Sequence, residues 1–117
     1  MERVVREASK LFPTTVLVLD EPDESGACHT YYLRSGNFAV TGIAFQRGPR
    51  ADQYSHVGVF DDDLLAIVEH RLAGVQSGPF NCEANEHALH YLREARSALR
   101  ARAQDRLERG VLRRNEP

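Results

Sequence analysis

The spacing of apolar residues changes near residue 60, and the change predicts two structurally different halves. Before it, apolar positions come in short β-branched blocks. Thr14-Thr15-Val16-Leu17-Val18-Leu19 lies between Pro13 and the turn-rich Glu21-Pro22-Asp23-Glu24-Ser25-Gly26, a strand running into a long turn. Cys28 to Arg34 is the next strand, and Ser35-Gly36-Asn37 is a hairpin signal. Phe38 to Phe45 forms a third strand, ended by Gly48-Pro49. Residues 50–57 read as irregular, with a short edge strand at Tyr54–Val59. Met1 to Leu11 reads either as a short helix, through Val4, Val5, Ala8 and Leu11, or as a loose lead-in. A small N-terminal antiparallel sheet of three to four strands is expected.

After residue 60 the period becomes helical. Leu64, Leu65, Val68, Leu72 and Val75 share a stripe, predicting a helix from about Asp62 to Gln76 with Asp61 as N-cap. Three consecutive acids there suit the positive end of the helix dipole. Ser77-Gly78-Pro79 stops it. Asn81 is placed to cap a second helix, which meets no breaker before Gly110. That helix would be about 28 residues and about 42 Å long. Its stripe is Ala88, Leu92, Ala95 and Leu99, with Asn85 one turn before and Arg102 and Arg106 after. The expected fold is α+β: one domain over residues 1–117, with a sheet part at 1–60, a C-terminal αα-hairpin at 61–110, and a frayed tail at 111–117. The second helix outruns the first by three to four turns, so its end requires another surface to lie against.

A chain of 117 residues fits one domain. The longest apolar run, Val16 to Leu19, is far short of a membrane helix, and Met1 to Glu7 has no secretory character. Cys28 and Cys82 make no disulfide framework and suit a reducing compartment. The net charge of −2 hides an asymmetry: residues 1–92 hold 7 basic and 13 acidic residues, whereas residues 93–117 hold 8 arginines and 4 acids. Arg102, Arg106, Arg109 and Arg113 fall on one helical face. Guanidinium forks suit phosphates, but a pI near 6.2 argues against a nucleic-acid duplex and for a small anionic ligand.

Other chemistry is thin. His87 and His90, at i and i+3, lack a third metal ligand dictated by spacing, even with Glu83 and Glu86 nearby, and read as surface residues. Asp61-Asp62-Asp63 reads as helix capping rather than a cation site. Nucleotide-binding glycine loops, a serine-nucleophile elbow and a Cys-x-x-Cys pair are missing, so neither enzyme activity nor a cofactor or metal is expected.

The stretches Leu64 to Leu72, Gly74-Val75-Gln76-Ser77-Gly78-Pro79-Phe80 and Cys82-Glu83-Ala84-Asn85 carry a resemblance, together with Arg102-Ala103-Gln104-Asp105-Arg106, Arg109-Gly110-Val111 and the Phe45-Gln46-Arg47-Gly48-Pro49 turn. Over about residues 38–111 the chain resembles phage anti-defence sponges of the Thoeris type, whose helical hairpin is shared with anti-CBASS sponges. The resemblance implies a non-enzymatic binder that sequesters glycocyclic ADP-ribose, the cyclic ADP-ribose isomer made by a TIR-domain enzyme, or, in some relatives, cyclic di- or trinucleotides. Carried over by position, it implies a ribose- or adenine-contacting Asn85 and phosphate-binding Arg102 and Arg106, with Arg109 beside them. The family's base-stacking aromatic falls at Val75. Valine packs but does not stack, and Phe80, five residues on, is the candidate substitute. A homo-oligomer, as large as a hexamer of three dimers, is implied as well.

Spacing supplies an independent argument. Asn85 and Arg102 are 17 residues apart, about 25 Å along one helix and about twice the width of a cyclic dinucleotide. Two antiparallel copies of the long helix, crossing near Glu94 and Ala95 with Ala88, Ala95 and Ala98 permitting close approach, would form two identical composite pockets. The competing expectations are an oligomeric hairpin protein of phage origin whose arginines pair with a neighbour's acids, and a metal-dependent nucleotide hydrolase.

Overall fold

The structure, a computed structural model, describes residues 2–48 and 57–110. It is α+β: a four-stranded antiparallel sheet is followed by two helices. These form two compact units, one ending at Val59 and the other starting at Phe60.

The strands are β1 (Arg3–Arg6), β2 (Thr15–Val18), β3 (Thr30–Ser35) and β4 (Phe38–Ala44), paired in chain order as a meander. The short N-terminal helix is therefore corrected to an edge strand. Val4 pairs with Leu17, and Arg6 donates through Nη2 to the Thr14 carbonyl at 2.9 Å. A lone helix of that length gains too few hydrogen bonds to offset nucleation, whereas β-branched Val4 and Val5 suit the free edge of β2.

In β2, Leu17 is 3% exposed and Val18 7%. As neighbours in a strand they point to opposite faces, so each face of the sheet buries one residue. Their cross-strand partners are Tyr32 and Tyr31, and the Tyr31 ring meets Phe45 edge-on at 5.7 Å. Gly36, at φ +58°, supplies the left-handed residue of the β3–β4 turn.

Carboxylates organise the β2–β3 connection. Asp20 accepts the backbone N–H groups of His29 (2.9 Å) and Thr30 (3.1 Å). Asp23 accepts from Ser25 and lies 2.7 Å from His29 Nε2, with Arg47 Nε at 3.8 Å. The Ser25 hydroxyl, then the His29 ring, hold the Asp23 carboxyl at about 2.

After β4 the chain is closed by backbone contact. Gln46 N–H donates to the Val59 carbonyl at 2.8 Å, and Val59 N–H to the Ala44 carbonyl at 2.9 Å. The Gln46 side chain donates to the Gly48 carbonyl (3.0 Å) and accepts from Gly58 N–H (3.2 Å). A Cβ on Gly58 would sit 2.7 Å from the Gln46 nitrogen, so this approach requires glycine. Of the edge strand expected at Tyr54–Val59, residues 54–56 lie outside the described residues. Val59 makes one parallel bridge to Phe45 instead of pairing as a strand.

The helices are α1 (Asp61–Gln76, 16 residues) and α2 (Glu83–Glu108, 26 residues). Both expected caps shift by one residue. Phe60 is the N-cap of α1, and its N–H donates to the Asp63 carboxylate at 2.8 Å, so Asp61 is the first helical residue. Cys82, not Asn81, precedes α2, while Asn81 donates through Nδ2 to the Gly78 carbonyl at 2.9 Å. The second helix is two residues shorter than expected, one at each end: it stops at Glu108, Arg109 caps it, and Gly110 follows at φ +75°. The tail at 111–117 and Arg113 lie outside the described residues.

Candidate functional site

The hairpin is antiparallel, as its cross-helix bonds run in opposite order along the two helices. Gln76 near the end of α1 meets Cys82 and Glu86, Glu69 meets Arg93 and Arg96, and Asp62 at the start of α1 meets Arg96. Arg96 dominates. Its Nε and Nη2 fork onto Asp62 at 2.8 and 3.1 Å, and its Nη1 reaches Glu69 at 2.9 Å. The hydrogen bonds from Arg96 hold both carboxyls below their ordinary values, and Asp62 and Glu69 in turn raise the Arg96 guanidinium.

This network corrects the stripe expected on α2. The covered positions are Asn85, Ala88, Leu89, Leu92, Arg96, Leu99, Ala103 and Arg106, with Leu89 at 2% exposure. Ala95 and Arg102 are exposed. Ala88, Leu92 and Leu99 stay covered, but Leu89 and Arg96 take the place of Ala95, and at about 100° per residue the centre of the covered face turns by about 35°. Counting apolar residues alone misses Arg96, a charge in a core-facing slot. The available signal was its i+4 and i+7 spacing from Leu92 and Leu89, with two acids seven apart on α1 to receive it.

The site residues separate into two groups at opposite ends of the hairpin. Val75, half-buried at the end of α1, Phe80 in the turn and half-buried Asn85 on the first turns of α2 form one group. Phe80 is 81% exposed. The other group is Arg102, Arg106 and Arg109. Arg102 is exposed, whereas Arg106, about 40° round the helix toward the covered side, is half-buried. Arg109 is tied to Asp105 through Nε at 3.0 Å. Helix α2 is unbroken between the two groups, which keeps Asn85 and Arg102 about 25 Å apart within one chain.

α2 also continues twelve residues past Arg96, which is opposite the start of α1. On the hairpin Ile67, Val68, Phe80, Tyr91 and Leu107 are exposed. His87 lies 3.7 Å from the Glu83 carboxylate, and His90 meets the Tyr91 ring edge-on at 5.0 Å. Among the described residues no three His, Cys, Asp or Glu side chains are grouped as metal ligands, and no helix is long and apolar enough to cross a membrane.

Sheet, hairpin and overhanging arginine row together define a small α+β protein whose charged chemistry lies on a long C-terminal helix. No protein-family model matches the chain. It is similar to a curated protein of Bacillus phage SBSphiJ7, Thoeris anti-defense 1, with 39% identity over 91 residues covering 69% of this chain and 63% of that protein. The chain thus spans somewhat less than two thirds of that relative's length. It belongs to the Thoeris anti-defence family.

Proposed function

We propose that this protein blocks Thoeris anti-phage defence by binding and sequestering a cyclic ADP-ribose isomer, glycocyclic ADP-ribose, without chemistry at the ligand. The relationship to Thoeris anti-defense 1 supports the pathway. The observation that carries the binding mode is the unbroken α2, which separates Asn85 from Arg102 by about 25 Å. One chain presents half a site at each end of its hairpin. An antiparallel second copy brings Asn85, Val75 and Phe80 of one protomer beside Arg102 and Arg106 of its partner, and a C2 dimer makes two such pockets. Further association of dimers into a hexamer is compatible with this arrangement.

In the pocket the arginines fork onto pyrophosphate oxygens, each charge-assisted bond contributing about 1.5–3 kcal/mol. Asn85 offers both a donor and an acceptor to a ribose or base edge. Sequestration in the host cytoplasm needs slow release of an intact ligand and no general base.

Calorimetric titration of the chain with glycocyclic ADP-ribose, followed by chromatography of the recovered ligand, tests the reading. Tight binding with intact ligand is expected, and Arg102→Ala with Arg106→Ala abolishes it while far-UV circular dichroism stays unchanged. Turnover of the ligand points to a hydrolase, and preferential binding of cyclic di- or trinucleotides points to a CBASS sponge. A second reading, an oligomeric interaction protein with structural arginines, draws support from the pairing of Arg93, Arg96 and Arg109 with acids of their own chain. Unchanged affinity in the double variant would favour it.

A further inference from the structure

The sheet order β1-β2-β3-β4 leaves two outer edges, and they are built differently. β1 is four residues long and carries Arg3 and Arg6, whose guanidinium groups reach the Asp20 and Thr14 carbonyls. Short strands and charged side chains are usual means of keeping an edge from pairing with another chain. β4 is seven residues long, Phe38-Ala39-Val40-Thr41-Gly42-Ile43-Ala44, with no charged residue and no proline. The edge-protecting feature it does carry is a bulge at Val40, which has no register partner in β3.

Along β4 the backbone groups alternate in direction. Phe45 N–H donates to the His29 carbonyl at 2.8 Å, on the β3 side, whereas the Ala44 carbonyl points outward and accepts Val59 N–H at 2.9 Å. Two residues before Ala44, Gly42 therefore directs its own N–H and carbonyl outward, and it is exposed. Val59 shows that this edge accepts extended chain. It makes a single parallel bridge, to Phe45, and among the described residues nothing continues that pairing along β4. Upstream of the bridge Phe38 is 79% exposed and Val40 55%.

We propose that the outer edge of β4 pairs antiparallel with β4 of a second copy across a two-fold axis, joining two sheets into one. Charge and symmetry select this occupant. Opposed to itself, β4 brings no charged side chain against another, and each copy offers Gly42 N–H and carbonyl to its partner. β1 opposed to itself would set arginines against arginines, a destabilising arrangement. A two-fold contact uses the same patch on both copies and closes after two, so strand-by-strand growth, the hazard of an uncharged edge, stops there. The added strand also supplies cross-strand neighbours for Phe38 and Val40. This contact goes beyond the sequestration reading and does not depend on it, since Asn85, Arg102 and Arg106 lie on α2, in the other compact unit.

Sedimentation and amide hydrogen exchange on the full, ligand-free chain test it. The wild-type chain is expected to sediment as an oligomer with Gly42 N–H protected, because that amide gains an acceptor only from a second copy. Val40→Lys sets lysine near lysine across the two-fold axis. It is expected to lower the mass of the assembly and to remove protection at Gly42, while leaving Leu17 and Leu89 protected. Val40→Thr, β-branched and uncharged, is expected to keep both the mass and the protection. Thr41→Lys, at the neighbouring exposed position, replaces Val40→Lys if that variant fails to fold. A wild-type monomer, or a wild-type Gly42 amide that exchanges as freely as an unbonded one, overturns the proposal, and an extended segment of another protein then becomes the candidate occupant. Mass and protection unchanged in Val40→Lys overturn it too. Equal effects of Val40→Lys and Val40→Thr assign the change to side-chain packing and likewise overturn it.

Discussion

The sheet and the hairpin are stabilised by different means. In the sheet, backbone pairing runs through four strands, Leu17 and Val18 are buried on opposite faces, and the connections are closed by short-range acceptors such as Asp20, Asp23 and Gln46. In the hairpin, one side chain among the described residues, Leu89, is fully covered, and the helices are joined by Arg96 in the middle and Gln76 at the turn. Strand pairing satisfies the backbone only through neighbours, so a sheet cannot form without its tertiary contacts. Helices satisfy their own backbone, which leaves the hairpin free to expose Ile67, Val68, Tyr91 and Leu107 and to stay partly uncovered as a single chain. The sheet unit leaves Val4, Val5, Phe38 and Val40 exposed as well, so the two differ in how they are held rather than in how much apolar surface they leave open.

The largest test of this contrast is Leu89→Ala. Removing the one fully covered hairpin side chain costs about 2–5 kcal/mol, read as a fall in the urea midpoint of the helical signal. Leu17→Ala in the sheet gives a loss in the same range. A Leu89→Ala loss below about 1 kcal/mol would show that charge pairing alone holds the helices, against the usual large cost of such a truncation.

Arg96→Met comes next. It leaves Asp62 and Glu69 without their shared partner, so the hairpin melts earlier, by less than in Leu89→Ala. Its midpoint also loses part of its dependence on salt. Adding Asp62→Asn and Glu69→Gln to Arg96→Met restores most of the loss, since no unpaired carboxylate remains. A triple variant no more stable than the single one would assign the effect to lost packing of the arginine stem.

The smallest effect is acid sensitivity. Asp23 has an ordinary value of 3.8 and is held at about 2 in the folded chain. A depressed carboxyl contributes stability above its unfolded value and loses it as pH falls through the folded one, so this contribution fades between 3.8 and about 2. Glu69, held below 4.5 by Arg96, begins to lose its contribution as soon as pH drops under that value. Acid titration should therefore loosen the hairpin at higher pH than the β2–β3 connection, with Asp23→Asn removing the lower step. Exchange rates at the Arg96 and His29 amides, followed from pH 5 downward, check the order.

Much of the fold was legible from residue spacing. Alternating β-branched blocks with Gly and Pro punctuation located β2, β3 and β4, and the 3.6-residue period with Ser77-Gly78-Pro79 located both helices to within a residue or two. The strand at residues 3–6 was not legible, because four residues carry no resolvable period and their state depends on the free edge of β2. The candidate site was half legible. Arginine spacing grouped Arg102, Arg106 and Arg109 on one side of a helix, but the differing surroundings of Arg102 and Arg106 follow from where the covered face falls. Gln76 and Arg96 were missed because a polar side chain announces its partner only when the chain brings that partner near.

What the order of residues decided on its own is local: which segments extend, which coil, where they stop, and how far apart Asn85 and Arg102 must lie on a continuous helix. Tertiary structure decided what depends on a second segment. It placed Val4 against Leu17, closed Gln46 on Gly58, set Arg96 between Asp62 and Glu69, and locked Gln76 onto Cys82. The physical reason is range. Backbone preference and periodicity act over a few residues, whereas a hydrogen bond or an ion pair forms wherever folding leaves two groups about 3 Å apart, whatever their separation in the chain.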